Sequence, residues 1–176
     1  MPENMNHKAI ESVLLELGQR IETPTKLFLI GGSALALLGN PRLTIDIDFI
    51  GDDIAPSKAH KTLMQIASEL KVYIEPVALE RFIPLPEGSR ERSIRIGSFG
   101  NLEIYVADPY SIALSKIERG FDTDIDDILF LIQHGYVEFE MLKQITEVTL
   151  TRAREFDIDR GEMLAHLAIV RERLGL

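Results

Sequence analysis

Apolar positions along the chain switch between two periods, and the switches mark its elements. Ala9, Ile10, Val13, Leu14 and Leu17 recur at helical spacing, predicting an amphipathic helix over about residues 5–20. Thr23-Pro24-Thr25 breaks it. Lys26 to Ile30 (KLFLI) is an apolar run of strand length. Gly31-Gly32 follows, then Ser33-Ala-Leu-Ala-Leu-Leu with Gly39 beyond, which reads as strand, glycine turn, short helix and glycine stop. Thr44 to Ile50 (TIDIDFI) alternates with period 2, setting Ile45, Ile47 and Phe49 on one face and Asp46 and Asp48 on the other. Pro56 to Leu70 reads as a helix with Leu63, Ile66, Ala67 and Leu70 inward. The stretch 71–88 holds three prolines and takes no clear period. Ser93–Phe99 and Leu102–Val106 read as a hairpin turning at Gly100-Asn101.

Beyond residue 107 only the helical period remains. Asp108 is a good N-cap with Pro109 at the first helical position, and that helix runs to Arg119 and stops at Gly120. Further helices are expected over 124–134, about 138–154 and 160–173. In the last, Leu164, Leu167, Ala168 and Leu174 are expected to pack in a core or a dimer. His134, beside Gly135, suits a helix C-terminus. The expected fold is α/β (α+β): a core with a mixed sheet flanked by helices over residues 1–106, then a helical subdomain over 107–176 packed on it.

Composition narrows the chemistry. The 176 residues carry 19 Lys and Arg against 28 Asp and Glu, a net charge of −9, so the chain is not a general nucleic-acid coater. Arg81, Arg90, Arg92 and Arg95 form a loose basic segment, partly offset by Glu87 and Glu91. Without cysteine, thiolate catalysis and Cys-based metal sites are excluded. The four histidines show no metal-ligand spacing. Asp122, Asp124 and Asp126 lack the glycine and terminal Glu of a calcium loop. The N-terminal MPENMNHKAIE lacks signal-peptide order, and no apolar run spans a membrane, so a cytoplasmic location and no membrane partner are expected.

Oxygen ligands are then the main route to a metal site. Asp46 and Asp48, two apart on a strand, project to one side and repel unless a cation lies between them; Mg²⁺ suits such a site. An exposed strand face is the competing reading. Glu103, pointing opposite to Leu102 and Ile104, supplies a third carboxylate if its strand neighbours the 44–50 strand; Glu75 and Glu91 are weaker rivals. Gly31-Gly32-Ser33 is either a plain turn or a place where backbone N–H groups and the Ser33 hydroxyl hold phosphate oxygens.

Together, Gly31-Gly32-Ser33-Ala34-Leu35 and Arg42-Leu-Thr44-Ile-Asp46-Ile-Asp48-Phe49 resemble the nucleotidyltransferase superfamily that includes DNA polymerase beta. The form is similar to the abortive-infection toxin branch and its bacterial relatives. A downstream helical signature is matched by Lys116, Asp124 and Asp127, with Thr123 standing where many relatives carry Arg. The resemblance implies transfer of a nucleoside monophosphate from an NTP such as ATP to a hydroxyl on tRNA, a protein or a small molecule. Mg²⁺ (or Mn²⁺) would sit on Asp46, Asp48 and Glu103. Gly31, Gly32, Ser33, Arg42 and Thr44 would bind the nucleotide, and Lys116 would add positive charge near the phosphates. Asp124 and Asp127 would orient Lys116 or complement a helix N-terminus. A protein partner in a toxin–antitoxin pair is part of this expectation. A non-catalytic nucleotide- or partner-binding protein with the same fold stays open, as does a phosphoesterase.

Overall fold

The computed structural model describes residues 3–176; Met1 and Pro2 of the N-terminal stretch lie outside them. The described chain runs α1 (His7–Arg20), β1 (Thr25–Ile30), α2 (Gly31–Leu37), β2 (Ile47–Ile50), α3 (Lys58–Glu69), β3 (Ile74–Val77), β4 (Ile94–Phe99), β5 (Leu102–Val106), α4 (Pro109–Arg119), α5 (Asp122–Gln133), α6 (Phe139–Leu150) and α7 (Arg160–Arg173). It is an α/β fold whose five-stranded mixed sheet has the order β3-β2-β1-β5-β4.

The chain divides into two compact units. The first takes the chain up to Ala78 together with Ser93–Ala107, and holds the sheet. β1 pairs antiparallel with β2 and parallel with β5, β2 pairs parallel with β3, and β4 closes the other edge antiparallel to β5. Alternation sorts the two faces. Leu27, Leu29, Ile47, Phe49, Leu102, Ile104 and Val106 are buried on one. Ile10, Leu14 and Leu17 of α1, Ala34 and Leu35 of α2, and Leu63 and Ala67 of α3 complete that core. Lys26, Phe28, Asp48, Glu75, Glu103 and Tyr105 alternate with those buried positions and stand on the opposite face. β3 explains why 71–88 resisted assignment: it is a four-residue edge strand carrying Pro76, a residue a central strand would exclude.

The alternation of TIDIDFI is only partly realised. The strand proper begins at Ile47; Ile45 is 49% exposed, and Thr44 makes an isolated bridge to Met5 instead.

The second unit comprises Leu79–Arg92 and Asp108–Leu176, so the segment expected in the core groups with the helices. α4 lies centrally, touching α5, α6 and α7. Asp108 caps it as expected, accepting from the Tyr110 and Ser111 N–H groups, and Gly120 ends it in the left-handed conformation. The apolar stripe of α7 is rotated from the expected one. Met163, Leu167 and Val170 are buried, while Leu164 is 45% exposed.

Candidate active site

The site assembles where β1 runs directly into α2. Gly31 has φ +70°, and a Cβ there would stand 3.0 Å from Oδ2 of Asp48. The strand-to-helix junction therefore needs glycine twice over, for its backbone angle and for the close approach of a carboxylate. At Gly32 the nearest neighbours are Thr44 Oγ1, at 3.0 Å from the same constructed position, and an Arg42 guanidinium nitrogen at 3.8 Å. Thr44 in turn donates its hydroxyl to the Asp46 carbonyl at 3.2 Å or to Asp46 Oδ1 at 3.3 Å. Gly31, Gly32, Arg42, Thr44, Asp46 and Asp48 are thus one constellation. The loop between α2 and β2 folds back on the glycine turn with Asp46, and β2 itself sets Asp48 against it.

Ser33 is placed differently. It is 1% exposed, and its hydroxyl donates to the Ile30 carbonyl at 3.4 Å. The structure puts it in the core under the turn, and α2 is only seven residues long.

Glu103 does not join the aspartates, which corrects the expected metal set. Asp48 is level with Ile30 on β1, whereas Glu103 is level with Lys26. Four residues along the strand is roughly 13 Å, and the two carboxylates also lie on opposite sides of β1. β5 does neighbour β1, but in a register that carries Glu103 to the far end. There its carboxylate accepts from the Tyr105 hydroxyl and from Arg95. The Tyr105 hydrogen bond, seconded by Arg95 and by the charge of Lys26, holds Glu103 below the usual carboxylate range despite the opposing effect of burial.

The acidic residue that the sheet does set beside Asp48 is Glu75, its direct partner on the parallel strand β3. Cα partners on adjacent parallel strands project to the same face. Glu75 is exposed, and it also borders a cavity of about 450 Å³ at the sheet edge with Met64, Lys71 and Tyr73. Its signal in the sequence was the strand-like VYIEPV, masked by the proline.

Asp46, Asp48 and Glu75 offer only carboxylate oxygens, a donor set that fits a hard divalent cation. Among the described residues, no three acids or histidines already stand in metal-holding geometry, so a bound cation would have to draw these side chains in.

Lys116, Asp124 and Asp127 form a cluster within the second unit. Lys116 is buried, 4% exposed. Its Nζ donates to Asp127 Oδ2 at 2.8 Å and reaches Asp124 Oδ1 at 3.5 Å. Asp124 also takes a fork from Arg119, at 2.9 and 2.6 Å, and the Phe121 N–H at 3.1 Å. Asp124 therefore both orients Lys116 and secures the start of α5. Of the basic segment, Arg92 is held by Asp108 in a two-point contact at 2.9 and 2.8 Å, and Arg95 by Glu103.

The first strand of the mixed sheet thus turns through Gly-Gly into a helix, with Asp48 on the neighbouring strand and Asp46 just before it gathered at that turn. The sequence agrees over residues 7–165 with the family described as "Nucleotidyltransferase of unknown function (DUF6036)", and the chain belongs to that family. No curated protein and no solved structure matches it. No helix among the described residues is long and apolar enough to cross a membrane.

Proposed function

We propose that the chain catalyses metal-dependent transfer of a nucleoside monophosphate from an NTP to a hydroxyl acceptor. The observation that carries this reading is the packing of the Asp48 carboxylate against Gly31, with Thr44 and Asp46 against the next residue. Carboxylates gathered at a glycine turn leave room for phosphate oxygens beside the backbone, which a side chain on Gly31 would fill. Asp46 and Asp48 are the residues that would hold Mg²⁺ or Mn²⁺, with Glu75 beside them left to take a proton. Such an ion would neutralise triphosphate charge and lower the cost of charge developing in the transition state.

This chain's own residues supply the rest. Thr44 fixes Asp46 through its hydroxyl. Arg42, at the rim of the turn, adds positive charge for the phosphates. In the transfer step the acceptor oxygen forms a bond to the α-phosphorus, the bond from that phosphorus to the bridging oxygen breaks, and pyrophosphate leaves. Glu75, exposed and level with Asp48, takes the hydroxyl proton. Positioning and charge neutralisation account for most of such a reaction.

The test is incubation of the purified chain with α-³²P-labelled NTPs, Mg²⁺ and total RNA. Labelled product from the wild type, lost in Asp46→Asn and Asp48→Asn, is the expected result. No labelled product, or equal labelling by the variants, overturns the proposal. Binding of an NTP without turnover is the second reading. The separation of Glu103 from the aspartates is the one observation that favours it, and calorimetry showing NTP binding with no product would establish it.

A further inference from the structure

The sheet face that carries Asp48 also carries an aromatic and cationic group that the transfer reading leaves unused. Phe28 on β1 and Tyr105 on β5 are register partners, as are Lys26 and Glu103. The two rings stack with centroids 4.9 Å apart and planes 19° from parallel. The Lys26 ammonium stands 5.9 Å from the centroid of the Tyr105 ring. The Tyr105 hydroxyl donates to Glu103, which also accepts from Arg95 at 3.3 Å; Arg95 is steadied by Ser98 at 2.9 Å. Lys26 and Arg95 are exposed, and Phe28, Glu103 and Tyr105 are half-buried.

These rings are not in the core, which the opposite face of the sheet fills with Leu27, Leu29, Ile104 and Val106. They form a stacked pair at the surface, each ring covering one face of the other, with the Tyr105 hydroxyl tied to Glu103. Two cations against one carboxylate leave the patch at +1 on a chain of −9. Aromatic rings on a sheet with cations beside them are one means by which sheet surfaces take unpaired nucleobases and the phosphates attached to them. The patch is also near the proposed chemistry. Phe28 is two residues, roughly 7 Å, along β1 from the residue level with Asp48.

The geometry points to the Phe28–Tyr105 pair as a platform on which an unpaired base of a single-stranded nucleic-acid acceptor stacks, with Lys26 and Arg95 holding its phosphate. This deepens the transfer reading and rests on it for the word acceptor alone.

Fluorescence anisotropy of a fluorescein-labelled single-stranded RNA decamer, titrated with the full chain in EDTA without NTP, tests the platform directly. Phe28→Leu and Tyr105→Leu are each expected to weaken binding about tenfold, the value of one lost base stack. Tyr105→Phe, which keeps the ring, should stay within about twofold of wild type. Lys26→Glu, at an exposed position, should weaken binding without lowering the melting temperature, so the outcome does not hang on the fold of the ring variants. With two phosphate contacts, log affinity should fall against log salt with a slope near about −1.4. No RNA binding by the wild type, or binding indifferent to all these variants, overturns the platform. Weakened ATP binding in step with RNA would place the incoming base there and overturn the assignment to the acceptor. The titration contains neither metal nor NTP, so its failure is distinct from failure of the labelling assay.

Discussion

Gly31 is the residue on which the candidate site turns. Alanine there must adopt φ +70° and set its methyl 3.0 Å from Asp48 Oδ2. Gly31→Ala should cost about 1 kcal/mol or more in stability, lowering the melting temperature by about 2–4 °C, and should abolish NTP binding measured by calorimetry. Glu75 makes the opposite kind of prediction. It is exposed, so Glu75→Gln should leave the melting temperature unchanged while lowering the labelling rate by about a hundredfold or more, as loss of a general base does. An unchanged rate would remove Glu75 from the reaction. The aspartate pair and the glycine turn were legible in the sequence because both are local: period 2 and a strand-to-helix junction are visible in a dozen residues. Glu103 and Glu75 were not, because which acid stands beside Asp48 depends on strand order and register between segments far apart in the chain.

Among the elements, α4 and its partners show how polar residues fix a helical unit. Lys116 is enclosed with Asp124 and Asp127, so Lys116→Ala takes from the buried Asp127 the cation at 2.8 Å and from the buried Asp124 a second cation beside Arg119. Such a loss costs about 3–5 kcal/mol, which urea unfolding would show as a lowered midpoint at unchanged slope. Arg92 and Asp108 stand at the two points where the chain leaves and re-enters the second unit, and their two-point contact pins those points together; Arg92 also lies over the Tyr110 ring at 5.1 Å. Helix ends were well marked in the sequence by Asp108, Pro109 and Gly120. The phase of α7 was not, since Leu164, Leu167 and Ala168 fit a helical stripe as well as Met163, Leu167 and Val170 do. Only the neighbouring helices choose between them. In the first unit the close fit of α1 to the β4–β5 turn likewise depends on a contact no local pattern announces: a Cβ on Gly18 would lie 1.7 Å from the Phe99 carbonyl oxygen.

For the whole molecule, charge sets the response to acid. Burial raises the pKa of Asp124, but the Arg119 hydrogen bonds, the charges of Lys116 and Arg119 and the Phe121 N–H outweigh it and hold the carboxyl below its ordinary value. A carboxyl depressed by folding contributes stability above its unfolded pKa of about 3.9, and that contribution is lost as pH falls through the folded value. Thermal unfolding followed by circular dichroism should therefore show stability declining below about pH 4. Asp124→Asn should be less stable at neutral pH and decline less on acidification. The sequence by itself determined the α/β class, the helical second half, the glycine turn, the paired aspartates and the exclusion of thiolate ligands, because composition and short-range periodicity carry all of these. Tertiary structure decided that Glu75 and not Glu103 stands level with Asp48, that Ser33 is a core residue, that Lys116 is enclosed by carboxylates and that two rings share the face of the aspartates. Each of these is a matter of strand register or helix packing, where residues distant in the chain become neighbours.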